Sequence, residues 1–286
     1  MTWLRDGWMR HNNRKDLERA RDEMNRNREA LGLRPGTALD VGLSDRLVLV
    51  ATLPSLEIPR ADWPPHAHVV GPCLWEYPAE RRFDPPAGDG PLLLVAPSTA
   101  YDGDRMISPA LEAITGLGVR AVVTAGASAL PDPLPAGIVA ATGVAHADVL
   151  PHVSAALANG GHGTVVRILS AGVPMAVVAG HGDQQENAYR VERSGAGVQV
   201  RFPSTRSVAR SLRRILRDDS YAAAARRVAD EAAGIDGPRR AAELVEAVLW
   251  TNAFPETTEG GLTPAPLPNG GLSTPPRSPP SRRASR

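Results

Sequence analysis

The residue types best suited to chemistry fall in a glycine-rich run, Asn159-Gly160-Gly161-His162-Gly163-Thr164, and in the pair Asp183-Gln184 further along. Glycines let a backbone approach an anion closely, and amide N–H groups at the start of a helix attract one. Thr164 adds a hydroxyl, and His162 lies inside the turn. Asp183 brings an accepting carboxylate and Gln184 an amide that donates and accepts, a pairing suited to sugar hydroxyls. Phosphate at the first place and polyol at the second point to a nucleotide sugar.

Short elements must position these groups. Ala155 to Ala158 reads as a strand entering the glycine turn. A helix opens at Thr164, with Val165, Ile168 and Leu169 spaced to cover one face. Gly172 stops it and Pro174 bars its continuation. Met175 to Ala179 is a second apolar run, and another helix starts near Asp183. Repeated strand–turn–helix units put both loops at the same ends of neighbouring parallel strands, where open α/β sheets bind ligands.

With Ala171-Gly172-Val173-Pro174 and Asp183-Gln184-Gln185-Glu186-Asn187-Ala188, the glycine run resembles the donor-binding signature of two-domain (GT-B) nucleotide-sugar glycosyltransferases. The likeness is to the macrolide and glycolipid UDP-glycosyltransferase-like family, whose pattern is H-G-G-x-G-T, A-G-V-P and D-Q-x-x-N-A. It implies a Rossmann-like parallel sheet, the C-terminal half of a GT-B fold, behind a partial N-terminal domain. It further implies donor contacts from Ser98, Val144, Asn159, Gly160, Gly161, His162, Gly163, Thr164, Asp183, Gln184 and Asn187. The implied reaction is metal-independent, inverting transfer of a hexose from a nucleotide diphosphate sugar to a hydroxyl of a lipid, polyketide or other small acceptor. The sugar nucleotide is a substrate, and no cofactor is implied. The catalytic base of the family belongs to an N-terminal portion with no counterpart here, so no catalytic residue is assigned.

Three departures bear on the nucleotide. Thr142 to His152 aligns with the base-binding loop, but Gly143 stands where an aromatic residue is usual and Ala145 where proline is usual. A lost stacking surface costs about 1–3 kcal/mol at comparable sites. Val144 can still offer its backbone to the base edge. Asn159 replaces a histidine that contacts the diphosphate, leaving a neutral donor in place of a charge-assisted one, a loss of about 1 kcal/mol. Arg167 holds the place of a ribose-binding glutamate, and guanidinium cannot accept. It is expected to reach a phosphate or to face solvent.

The resemblance divides the chain into a remnant of the acceptor-side domain at 1–75, a linker at 76–90, the donor-binding domain at 91–253 and a Pro/Ser/Arg-rich tail at 254–286. Residues 1–33 read as a helix, with Leu17, Ala20, Met24 and Leu31 on one stripe and Trp3 and Trp8 expected to pack on something. Strands are expected at Leu47–Leu53, His68–Pro72, Pro91–Pro97, Val119–Ala125 and Ile138–Thr142, and helices fill Ser207–Trp250. The tail cannot bury a core, so disorder is expected.

At 42% apolar the chain can build a sizeable core, and a net charge of +1 calls for no nucleic acid. One cysteine, Cys73, excludes an internal disulfide and suggests a reducing, cytoplasmic setting. No run reaches the ~20 apolar residues of a membrane span, although peripheral membrane contact is compatible. His146, His152, His162 and His181 lack metal-ligand spacing. Asp102-Gly103-Asp104 leaves a metal-dependent transferase as a rival reading. Two further alternatives are a catalytically inactive donor-binding protein and a scaffold acting through its tail.

Overall fold

Residues 2–36, 44, 46–59, 63–76, 78–79, 81–97, 104–124 and 130–250 are described by a computed structural model, without the side chains of 2–13, 104 and 105. Ser98, Thr99, Asp102, Gly103 and the tail at 254–286 therefore lie outside the described residues, as do the side chains of Trp3, Trp8 and Asp104.

Charged residues leave α1 (Thr2–Ala30) little apolar surface, and Leu17, Met24 and Leu31 of its stripe are exposed. Strands β1 (Val48–Val50) and β2 (Ala67–Val69) pair in parallel, with Leu49 opposite His68. A 3-10 turn at Pro54–Leu56 lies between them.

The main sheet uses β3 (Leu92–Ala96), β4 (Arg120–Val123), β5 (Ile138–Ala140), β6 (Ala155–Ala158), β7 (Met175–Val177) and β8 (Gly197–Gln199). All pair in parallel, in the order β5-β4-β3-β6-β7-β8. Sequence runs one way from β3 to β5 and the other way from β6 to β8. The reversal falls between β3 and β6, and the loops leaving those strands flank the crevice where such sheets take ligands.

Continuous apolar runs make strands buried on both sides. Leu92, Leu94, Ala156 and Ala158 join one core; Leu93, Val95, Ala155 and Leu157 join the other. The first core takes α4 (His162–Ser170), α5 (Gln184–Ser194) and α7 (Asp219–Ala233); the second takes α2 (Asp104–Leu117) and α6 (Thr205–Arg217). Helix α3 (His146–Val149) and a 3-10 turn at Leu150–His152 precede β6, and α8 (Gly237–Trp250) follows α7. The helical stretch expected at Ser207–Trp250 is thus divided. Asp218 caps α7, and Ser204 with Ser207 forms a reciprocal cap on α6.

Strands are shorter than the apolar runs suggested. Leu53 and Val178 are buried but lie outside their strands.

Candidate functional site

Strand β6 delivers the chain into the glycine turn at the sheet's reversal point. Gly160 has φ +85°, and a Cβ there would sit 2.7 Å from Val177 Cγ1 and 3.0 Å from the Gln184 carbonyl oxygen. Only glycine fits both the angle and the space. Gly161 has φ −59° and ψ 134° and caps α4 without a side-chain bond. Helix α4 opens at His162, earlier than the expected Thr164, because the Val165 N–H already donates to the Gly161 carbonyl at 3.0 Å. The first-turn N–H groups are therefore those of His162, Gly163 and Thr164. No acidic side chain sits in that turn. Amides so arranged, at the positive end of the helix dipole, favour an anion.

The second loop is stitched to the first. Asn187 Nδ2 donates to the Gly160 carbonyl at 2.9 Å and to Asp183 Oδ2 at 3.0 Å. Gln184 Oε1 accepts from the Gly180 N–H at 2.9 Å. Gln184 and Asn187 are each 9% exposed, so these amides brace the two loops, while Asp183 is exposed. Asn159 is half-buried, as are His162, Thr164 and Val144; His181 is exposed. The structure brings 159–164 and 183–187 together.

Arg167 turns to residues 75–76 instead of to solvent. Its Nη2 donates to the Trp75 carbonyl, and its Nε lies 3.4 Å from Glu76 Oε1. Glu76 accepts from the backbone N–H of His146 at 3.1 Å and of Ala147 at 3.0 Å, capping α3. His146 Nε2 is 3.2 Å from Thr124 Oγ1. Burial holds the His146 imidazole below its ordinary pKa; Glu76 pulls it up and Arg167 pushes it down. This network ties residues 75–76 to α4 and to the loop expected to meet the base. Sequence reasoning missed Glu76, since nothing local marks a carboxylate that caps a helix so far along the chain.

A second tie joins the 3-10 turn at Pro54–Leu56 to α5. Arg190 bonds Glu57 Oε1 at 2.5 Å and Glu186 Oε1 at 3.0 Å, and Arg193 Nη2 donates to the Glu57 carbonyl at 2.6 Å. The Glu186–Arg190 spacing was a readable signal; Glu57 was not.

A cavity of about 620 Å³ lies between residues 79–85 and α3, lined by Arg81, Arg82, Phe83, Asp84, Asp148 and His152 among others. None of residues 159–164 lines it. Among the described residues no three His, Cys, Asp or Glu side chains gather as a metal site, and no helix is long and apolar enough to cross a membrane.

Residues 109–248 match the model of the erythromycin biosynthesis protein CIII-like C-terminal domain. That stretch belongs to this family. The EryCIII-like domain agrees with the chain's relatives. Over 247 residues the chain is 36% identical to 4'-demethylrebeccamycin synthase of Lentzea aerocolonigenes, covering 82% of this chain and 58% of that protein. It is 34% identical to a PGL/p-HBAD biosynthesis rhamnosyltransferase of Mycobacterium bovis (strain BCG / Pasteur 1173P2), covering 64% and 41%. The calicheamicin glycosyltransferase CalG4 superposes with a TM-score of 0.62 at 26% identity, covering 73% of this chain and 55% of that one. The fold around the EryCIII-like domain is the C-terminal half of a GT-B fold, as the resemblance implied. The chain spans about half the length of the curated relatives it matches.

Proposed function

We propose that the chain binds a nucleotide diphosphate sugar and acts in transfer of its hexose to a hydroxyl of a polyketide, lipid or other small acceptor. One observation carries this reading: a helix start capped by glycine with no side-chain bond, at the sheet's reversal point, locked by Asn187 to the loop that presents Asp183. The glycosyltransferase names of the relatives supply the reaction class.

In this reading the diphosphate sits on the N–H groups of His162, Gly163 and Thr164, with Asn159 and Thr164 adding side-chain donors. The acceptor oxygen forms the new glycosidic bond as the anomeric carbon's bond to the diphosphate breaks, and the hydroxyl proton passes to a base to which no residue is assigned; entry opposite the leaving group makes the displacement in-line and inverting. Charge then grows on the leaving phosphate, where fixed amide dipoles stabilise it without reorganising. Asp183 accepts from hexose hydroxyls, and Gln184 has its amide nitrogen left to donate. No metal or cofactor enters the proposal, and the donor-binding domain is placed at 91–253.

Calorimetry of the full chain with UDP, TDP and their hexose conjugates tests it, beside mass spectrometry for donor hydrolysis and transfer. Heat that disappears in Gly161→Val is expected. No heat with any sugar nucleotide, together with activities indifferent to Gly161→Val, would end the proposal. Binding without turnover would favour a donor-binding protein that lacks catalysis.

A further inference from the structure

Phosphate and hexose leave the nucleoside end of the ligand without an obvious platform. The loop from Thr142 to Ala145 carries no flat side chain, and Gly143, at φ +74°, carries none at all. A nucleobase gains most of its sequence-tolerant binding by laying its π-face on an aromatic ring. One aromatic residue is fixed beside this loop by bonds of its own segment. The Trp75 carbonyl accepts from Arg167 Nη2, and the next residue, Glu76, caps α3 through the N–H groups of His146 and Ala147. Arg167 Nη1 also reaches the Gly163 carbonyl at 3.4 Å, in the first turn of α4. The main chain at 75–76 is thereby pinned between the phosphate turn and the loop after β5. Trp75 itself is 65% exposed.

We infer that Trp75 is the nucleobase-stacking residue of this site, with Glu76 and Arg167 as its positioning residues. The inference rests on the donor-binding reading above. Two physical points support it. Trp75 is 65% exposed, so covering a base would remove apolar surface of both from solvent. A segment already held by charge-assisted bonds at the Trp75 carbonyl and the Glu76 carboxylate has less ordering left to lose on binding. Arg167 thus gains a role for which a ribose-accepting carboxylate is not required: it fixes the linker segment that carries the ring.

The test measures full-chain affinity for inorganic pyrophosphate and for UDP in parallel. Pyrophosphate reports the α4 amides alone; the advantage of UDP over it reports the nucleoside. Trp75→Leu is expected to weaken UDP about tenfold while pyrophosphate keeps its affinity, and Trp75→Phe to restore most of the loss. UDP quenching of tryptophan fluorescence should shrink in Trp75→Leu. Arg167→Met should lower UDP affinity likewise, and adding it to Trp75→Leu should cost nothing further. If the unaltered chain binds both probes and Trp75→Leu leaves the UDP advantage intact, the stacking role is overturned and the donor reading survives. If the unaltered chain binds neither, both fall together. Independent, additive losses in the double variant would overturn the positioning role of Arg167.

Discussion

Two adjacent glycines divide the labour at the phosphate turn. Gly160 is held by shape: its φ of +85° and the 2.7 Å approach of Val177 exclude a side chain. Gly161 is held by neither, since its φ is −59° and a Cβ there would meet nothing within 4 Å. Gly160→Ala should therefore destabilise the fold by about 1–3 kcal/mol, read from the denaturant midpoint. Gly161→Ala should leave that midpoint within about 0.5 kcal/mol and weaken pyrophosphate binding, because its methyl enters the space where the anion would sit. Equal loss of stability in both variants would contradict this division. His146 carries the pH dependence. Its pKa in the folded chain is lowered from 6.5, chiefly by burial, so the unfolded chain takes up the proton first. Stability is then full above pH 6.5 and falls as acid titrates the group. Urea midpoints at pH 7.5 and 5.5 should show that loss, and His146→Gln should reduce it.

At the scale of elements, the βα units were readable and their braces were not. Apolar runs at 91–97, 155–158 and 175–179 announced strands, the first of them buried on both faces, and Gly172 with Pro174 announced a helix stop. Both signals are local, so they survive in sequence. The helix start moved from Thr164 to His162 because an extended Gly161 serves as cap, and glycine pattern alone does not say which glycine turns and which caps. Gln184 and Asn187 matched a sugar-binding motif, yet their burial and bonds to Gly180 and Gly160 show loop bracing that a motif cannot reveal. Glu57 is another such brace. Its half-buried pairing with Arg190 joins the 3-10 turn before β2 to α5, the helix that carries Gln184 and Asn187. Glu57→Gln should cost about 1 kcal/mol, the upper end for partly exposed pairs, and Arg190→Met should cost little more once Glu57 is already replaced. A double-mutant cycle read by denaturant midpoints checks the coupling; independent losses would show that Arg190 is held by Glu186 alone.

At the scale of the molecule, the small β1–β2 sheet and the large sheet are built as one body. Leu53 and Leu56 share a core with Phe83, Leu92 and the α7 alanines. A backbone seam completes the union. Gly71 has φ +101°, and a Cβ there would fall 2.3 Å from Ile235 Cγ2; one on Gly237 would fall 2.4 Å from the Pro72 carbonyl oxygen. The segment leaving β2 and the start of α8 thus touch main chain to main chain, and the second partner is rigid. The far end of α8 is different, with Leu249 and Trp250 55% and 84% exposed, so Gly237 anchors the helix where its apolar face does not. Gly237→Val must push the seam apart, at about 2–3 kcal/mol by comparison with other overpacked sites. Because the main sheet also packs on a second core that holds no residue of 48–70, this loss should stay local. Hydrogen exchange should accelerate at 48–70 and 235–250 and remain slow in β3, β6 and β7. Uniform acceleration would mean that the seam supports the whole fold, and no acceleration would mean that Leu53 and Leu56 suffice to hold the small sheet in place.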